Sequence, residues 1–299
     1  MGILLDENTA VAVVGITGGR ARADTARNLE YGTNIVCGVA PGRGGQVVAG
    51  VPVYDSCVLA AQHHQIDAVV AYLPPAAYVS AMRDVLAVRP SWAHVVTEGI
   101  PVHDNVRILT EARAAGVRIV GPNTSGIITP GHAKVGFLAH AAWMISPGRV
   151  GILSRSGGFT HDLAYLVTQS GRGVSTAIPI GGDPVAGQSF ADLLQLFEAD
   201  DGTDATVIYG EAGPAVEAEV AERVRAGTIR KPVVALISGD FLDDFAAGTV
   251  FGHAGAFLDG PETRAAAKRA MLREAGVHVI DSPRQIAESL QRAGVSRAS

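Results

Sequence analysis

Cysteine is nearly absent from this chain: Cys37 and Cys57 are the only two among 299 residues. They make no Cys-x-x-Cys pair and offer too few thiolates for a structural zinc site, so neither a disulfide framework nor a zinc module underlies the fold. Both read as core or near-core thiols in a reducing compartment. His63 and His64 are neighbours in a helical stretch, and His94, His103, His132, His140 and His278 show no ligand spacing, so no metal held by this chain alone is expected. A basic block is also missing. With 24 Lys and Arg against 29 Asp and Glu the formal net charge is -5, which leaves no footprint for a phosphate backbone and argues against a nucleic-acid partner. The opening residues Met1-Gly2-Ile3-Leu4-Leu5-Asp6 lack the basic and apolar regions of a signal peptide, and Asp6 stands where a myristoylation motif wants Ser or Thr. No uninterrupted apolar run approaches membrane-spanning length. The expectation is a cytoplasmic protein with no membrane attachment.

Aliphatic residues are plentiful instead. A chain of this length with 47% hydrophobic residues and few aromatics suffices for two modest α/β domains, each with its own core. Short β-rich apolar runs recur, each followed by a stretch of helical spacing, which is the signature of a parallel sheet covered on both faces. In the first half the pattern predicts strands at 11–15, 35–39, 68–73, 94–97 and 117–120, with helices near 22–31, 56–65, 76–88 and 104–115. The alternation stops after Gly121-Pro122-Asn123, and 126–148, with Pro130-Gly131 and Pro147-Gly148, reads as an irregular or hairpin connector. A second series follows, with strands at 149–154, 174–180, 205–210, 232–238 and 277–281, and helices at 159–170, 189–199, 214–226, 261–275 and 283–292. The expected architecture is a Rossmann-like domain over 1–125, a connector, and a flavodoxin-like parallel-sheet domain over 149–299.

Two strand-to-helix turns look built for anions. The first, Gly15-Ile16-Thr17-Gly18-Gly19-Arg20-Ala21, presents unpaired amides at a helix start, where the phosphate of a nucleotide-like ligand can bind. The next strand ends in Val39-Ala40-Pro41-Gly42-Arg43-Gly44-Gly45, without the acidic residue that a NAD site offers to ribose hydroxyls. Arg43 would receive a phosphate monoester, as on NADP or coenzyme A, or else is a solvated arginine in a mobile turn. The second turn, Ser154-Arg155-Ser156-Gly157-Gly158, gathers hydroxyls and free amides at another helix start, beyond what an N-cap needs.

His253 lies in Gly252-His253-Ala254-Gly255-Ala256, a run of small residues that leaves an imidazole open on both faces. Taken alone it could be a solvated surface histidine. Glu211 follows a strand end, where open α/β sheets place their chemistry, so it can meet His253 and the 154–158 turn at one edge; the other reading is an ordinary exposed acid. A carboxylate on one imidazole nitrogen would fix the tautomer and raise the basicity of the other, a nucleophile toward phosphorus. Gly181-Gly182-Asp183-Pro184 should frame the same cleft.

In this order the motifs resemble the α subunit of succinyl-CoA synthetase and its relatives, the NDP-forming acyl-CoA synthetases. The resemblance covers nearly the whole chain, from Ile3-Leu4-Leu5-Asp6-Glu7-Asn8-Thr9 through Thr97-Glu98-Gly99-Ile100-Pro101 to the His253 loop. It implies that CoA lies on the first domain, with Thr17, Gly18, Gly19 and Arg20, Arg43 in place of the family's usual lysine, and Val96, Thr97 and Glu98 as contacts. It implies a phosphorylated His253, held by Glu211, and a phosphoryl group received at Ser154, Arg155, Ser156, Gly157 and Gly158. A β subunit with a nucleotide-grasp fold would deliver phosphate from ATP or GTP with Mg²⁺; a small carboxylic acid would then accept it before transfer to the CoA thiol. Three departures bear on substrate and partner. Thr124-Ser125 replaces the usual Cys-Pro, His161 stands where a substrate-side tyrosine is usual, and Gly239-Asp240-Phe241-Leu242-Asp243-Asp244-Phe245-Ala246-Ala247 is acidic where relatives carry proline and basic residues. The competing readings are a non-catalytic CoA-binding regulator on this scaffold and an NADP-binding oxidoreductase.

Overall fold

The computed structural model describes residues 2–297 apart from Ala215, 246–252, Ala254, Phe257 and Asp259. The first sheet comprises β1 (Val11–Val14), β2 (Ile35–Val39), β3 (Val47–Val48), β4 (Val51–Tyr54), β5 (Ala68–Ala71), β6 (Trp92–Val95) and β7 (Arg118–Val120), in the order β3-β4-β2-β1-β5-β6-β7. All neighbours are parallel except the small β3–β4 pair. Leaving β3 aside, the order is that of a Rossmann sheet, with its topological switch between β1 and β5. Strands β1, β5 and β6 are buried at every position, which is why they read as continuous apolar runs.

Helices α1 (Gly19–Tyr31), α3 (Tyr78–Ala87) and α4 (Val102–Ala115) form where helical spacing predicts them. The predicted 56–65 helix is shorter: α2 spans only Cys57–Ala60, with Ser56 Oγ accepting the Leu59 amide at 3.1 Å. No residue from 61 to 65 is buried, so nothing packs against a continuation, and short helices persist mainly through tertiary packing. Tyr54 takes up the exposed end, stacking on His63 and bonding His64 Nε2 at 2.9 Å.

The second sheet contains β8 (Gly126–Thr129), β9 (Ala133–Gly136), β10 (Pro147–Ser154), β11 (Val174–Pro179), β12 (Ala205–Glu211), β13 (Val233–Ser238) and β14 (His278–Ile280), in the order β14-β13-β12-β10-β11-β8-β9. Its parallel part runs β11-β10-β12-β13-β14, the flavodoxin-like order, and the switch point lies between β10 and β12. Helices α5 (Gly157–Gln169), α6 (Phe190–Ala199), α7 (Glu217–Arg225), α8 (Ala265–Glu274) and α9 (Ile286–Arg292) complete it. The connector region holds the β8–β9 hairpin, which joins this sheet antiparallel to β11.

The two halves are less separate than two independent cores would make them. One face of each sheet has its own cluster, but the opposite faces share a continuous apolar core running from Ile3, Leu5 and Val13 to Leu153, Ile208 and Ala235. The N-terminal segment stitches them: Trp92 Nε1 donates to Leu4 O at 2.7 Å, and Thr129 Oγ1 to Leu5 O at 2.7 Å. Thr33 Oγ1 adds a 2.6 Å bond to Lys134 O. Cys37 and Cys57 are buried and unbridged. Among the described residues no helix is long and apolar enough to cross a membrane.

Candidate active site

At the first switch point β1 is followed by Gly15, whose φ of +79° and close approach to Tyr72 O leave no room for a β-carbon. The chain then enters α1 through Gly18, which has no side-chain cap, so the amides of the first helical turn face outward. Beside them lies a cavity of about 560 Å³ lined by Thr17, Gly18, Arg43 and apolar residues such as Val39, Pro41 and Leu73. Gly19 borders the turn with open space above its α-carbon. Arg20 turns away: its Nε donates to Asp24 Oδ2 at 2.9 Å, and its guanidinium sits 4.0 Å from the Phe137 ring centroid. Val96, Thr97 and Glu98 follow β6 and lie outside the cavity lining. The Thr97 hydroxyl is committed to Leu73, donating to its carbonyl at 2.9 Å and accepting its amide at 3.1 Å.

At the second switch point the predicted convergence is present. Glu211, the last residue of β12, places its two carboxylate oxygens 3.0 and 2.9 Å from His253 Nδ1. The ring therefore donates from Nδ1, and Nε2, which has no hydrogen-bond partner among the described residues, carries a free lone pair whenever the ring is neutral. The bond to Glu211 raises the His253 pKa against the opposing effect of burial. The ring lies across Gly182, where a β-carbon would come within 2.5 Å of Cδ2, so only glycine fits under the imidazole. Gly252, Ala254, Ala246 and Ala247 lie outside the described residues, while Gly255 N donates to Gly182 O at 3.1 Å.

Arg155 is buried and braces this arrangement, with Nε 3.4 Å from Glu211 Oε1 and Nη2 donating to Asp183 O at 3.0 Å. Asp183 in turn accepts from Asn123 Nδ2 at 3.0 Å, and Asn123 N donates to Thr97 O at 2.9 Å. A hydrogen-bonded series thus runs from the end of the first sheet to the imidazole. Ser154 Oγ donates to Ser156 O at 2.8 Å and accepts the Ser156 amide at 3.0 Å, while Ser156 Oγ caps α5 by accepting the Phe159 amide at 3.2 Å. The two hydroxyls shape the turn, and the amides of Gly157 and Gly158, at the start of α5, have no carbonyl one turn back to bond.

The substituted positions are also anchored. Thr124 Oγ1 donates to Pro179 O. Ser125 Oγ is buried without a partner among the described residues, close under Gly157. His161 accepts the Ala139 amide at Nε2 (2.8 Å) and lies 3.2 Å from Gly158 O through Nδ1, so both ring nitrogens face backbone. In the acidic stretch, Arg269 holds Asp240 below the usual carboxylate range through bonds of 2.5 and 3.0 Å. Among the described residues no three His, Cys, Asp or Glu side chains gather as a metal site.

Sequence reasoning missed what supports Glu211 from behind. Lys268 in α8 is buried, and its Nζ lies 2.8 Å from both Glu211 O and Pro214 O and 2.7 Å from Glu217 Oε2. Burial raises the pKa of Glu217. The three acceptors tie the end of β12, where Glu211 sits, and the loop that follows it to the start of α7. A lysine in an otherwise ordinary helix of alanines and arginines carries no signal of this until α8 is docked.

Residues 6–99 match the CoA binding domain and residues 147–292 match the succinyl-CoA ligase like flavodoxin domain. The chain is 41% identical over 290 residues to the succinate–CoA ligase [ADP-forming] subunit alpha of Methanothermobacter thermautotrophicus, covering 97% of this chain and 96% of that one. It is 38% identical over 300 residues to the ADP-forming sulfoacetate-CoA ligase subunit SqwL of an Acholeplasma species, covering 99% and 100%. Among solved structures, ATP citrate lyase from Methanothrix soehngenii, in complex with citrate and coenzyme A, superposes with a TM-score of 0.90 at 25% identity. The match takes in 99% of this chain and 52% of that one, so this chain spans about half its length.

Proposed function

Since this chain belongs to the succinyl-CoA synthetase α-subunit family and is an acid–thiol ligase subunit, we propose that it carries phosphate on His253 between a nucleotide and a small carboxylic acid. The observation that supports this most is the pairing of Glu211 with Nδ1, which leaves Nε2 as the one ring atom able to attack phosphorus. In the first transfer the Nε2 lone pair forms the N–P bond as the bond from the terminal phosphorus to the nucleotide's bridging oxygen breaks, and the nucleoside diphosphate leaves. Glu211 stabilises the positive ring through that step. The α5 amides and the nearby Arg155 offset the phosphoryl charge. In the second, a substrate carboxylate oxygen takes the phosphoryl group and the N–P electron pair returns to Nε2. Both transfers start from or return to the neutral ring, so a proton on Nε2 must be lost before attack and none is moved within either transfer.

The first cavity fits CoA: apolar walls for the adenine, helix-start amides for the pyrophosphate and Arg43 for the ribose phosphate monoester. CoA, when bound, supplies the thiol that receives the acyl group. ATP or GTP and Mg²⁺ belong to a β subunit of nucleotide-grasp fold. The acid is succinate or another small acid of that kind, and the altered 124, 125 and 161 positions make a panel including sulfoacetate informative.

The test is labelling with γ-phosphate-tagged nucleotide and the reconstituted β subunit. Acid-labile, base-stable label is expected in the natural chain and none in His253→Ala, with CoA binding retained. Label that survives the substitution overturns the assignment, and binding of CoA without label under any partner supports the regulator instead.

A further inference from the structure

The first cavity has a property that CoA binding alone does not require. Asp55, directly after β4, folds its carboxylate back onto the turn that carries Arg43. Its Oδ1 accepts the amide of Arg43 at 2.9 Å and the amide of Gly44 at 2.8 Å. Successive amides aimed at one point make a receptor for an anion, and here the anion is the protein's own side chain. Oδ2 lies 2.7 Å from where a β-carbon would stand on Gly44, so the carboxylate is seated hard against the turn. Arg43 is exposed, and among the described residues its guanidinium pairs with no carboxylate. The cavity lining also includes Asp84, whose Oδ2 accepts the Cys57 amide at 2.6 Å, so two carboxylates and one guanidinium border the same cavity.

We propose that Asp55 sets how strongly this site reads the phosphate monoester of its cofactor. It occupies the Gly44 amide and shares the Arg43 amide with Ala40 O (3.0 Å), so neither is left for that phosphate, and it places a like charge beside the phosphate. Arg43 is left to hold the monoester alone. The chain should therefore bind CoA and 3′-dephospho-CoA with similar affinity. This rests on the CoA reading of the cavity, and the two can fail separately.

Asp55→Asn separates charge from architecture, because its amide oxygen can still accept from Arg43 and Gly44 while the negative charge is gone. Calorimetric titration of the full chain with CoA and with 3′-dephospho-CoA reads the effect as a ratio of Kd values. In the natural chain the preference for CoA is expected within about tenfold, since one exposed cation is opposed by a neighbouring anion inside a screening length. Asp55→Asn should tighten CoA by about three- to tenfold and leave 3′-dephospho-CoA within about twofold, while Arg43→Ala should bring the ratio close to one. High salt should shrink the gain.

Dephospho-CoA binding thus reports whether the variant is folded and its turn intact. If Asp55→Asn changes both ligands alike or leaves the ratio unmoved, Asp55 only braces the turn and the proposal fails. A natural preference for CoA above about tenfold would overturn it too. If neither form binds the natural chain, the CoA assignment falls and takes this proposal with it.

Discussion

His253 behaves according to which of its nitrogens is occupied. Glu211 on Nδ1 raises its pKa above the ordinary value of 6.5, so the protonated ring is favoured in the folded protein. The stability this pairing contributes is fully present below the unfolded value and is lost as pH rises through the folded one. Reactivity runs the other way, because Nε2 attacks only when its lone pair is free. The rate of phosphorylation should rise with pH through a midpoint above 6.5. Glu211→Gln should move that midpoint down toward the ordinary histidine value and lower the plateau at least about a hundredfold, up to the roughly 10⁴-fold loss of a triad imidazole deprived of its orienting carboxylate. Pre-steady-state labelling across pH checks both. A lowered plateau with an unmoved midpoint would mean that Glu211 places the ring without tuning it. The pair itself was legible from a glutamate at a strand end and a histidine among small residues. The buried Lys268 and Glu217 behind it were not, since burial is invisible until α7 and α8 pack together.

At the scale of elements, the strands that matter were readable because buried parallel strands leave long aliphatic runs, and the helices because their faces repeat. The helix α2 is shorter than its spacing predicts, because Gln62-His63-His64-Gln65 continues a helical rhythm but has no surface to lie on. Position 182 also depends on an element seen only in place. The loop after β11 passes beneath the His253 ring, and a methyl group there would stand within 2.6 Å of two ring carbons. Gly182→Ala should therefore displace the imidazole and cut phosphohistidine formation at least about tenfold, an overpacking effect of ordinary size. CoA affinity should stay unchanged, because the first cavity lies at the other sheet. A parallel measurement of label and CoA binding decides it. Equal loss of both would show that the loop supports the whole cleft.

Across the whole molecule, the continuous core makes the two halves one unit. Leu5 is 2% exposed within it and its carbonyl accepts Thr129 Oγ1 across the boundary. Leu5→Ala should cost about 2–5 kcal/mol and lower the midpoint of a single unfolding transition seen by calorimetry. Two transitions, with only one shifted, would show that the sheets melt separately. The two sheets, the two glycine turns at their switch points and the candidacy of His253 and Glu211 are all legible in the chain, because each depends on residues close together in it. That Thr97 and His161 commit their polar atoms to backbone, that Arg155 is a buried brace, and that Asp55 occupies the amides beside its turn emerge only once the chain is folded. A side chain's hydrogen-bond partners are set by which distant backbone reaches it, and no local pattern encodes that.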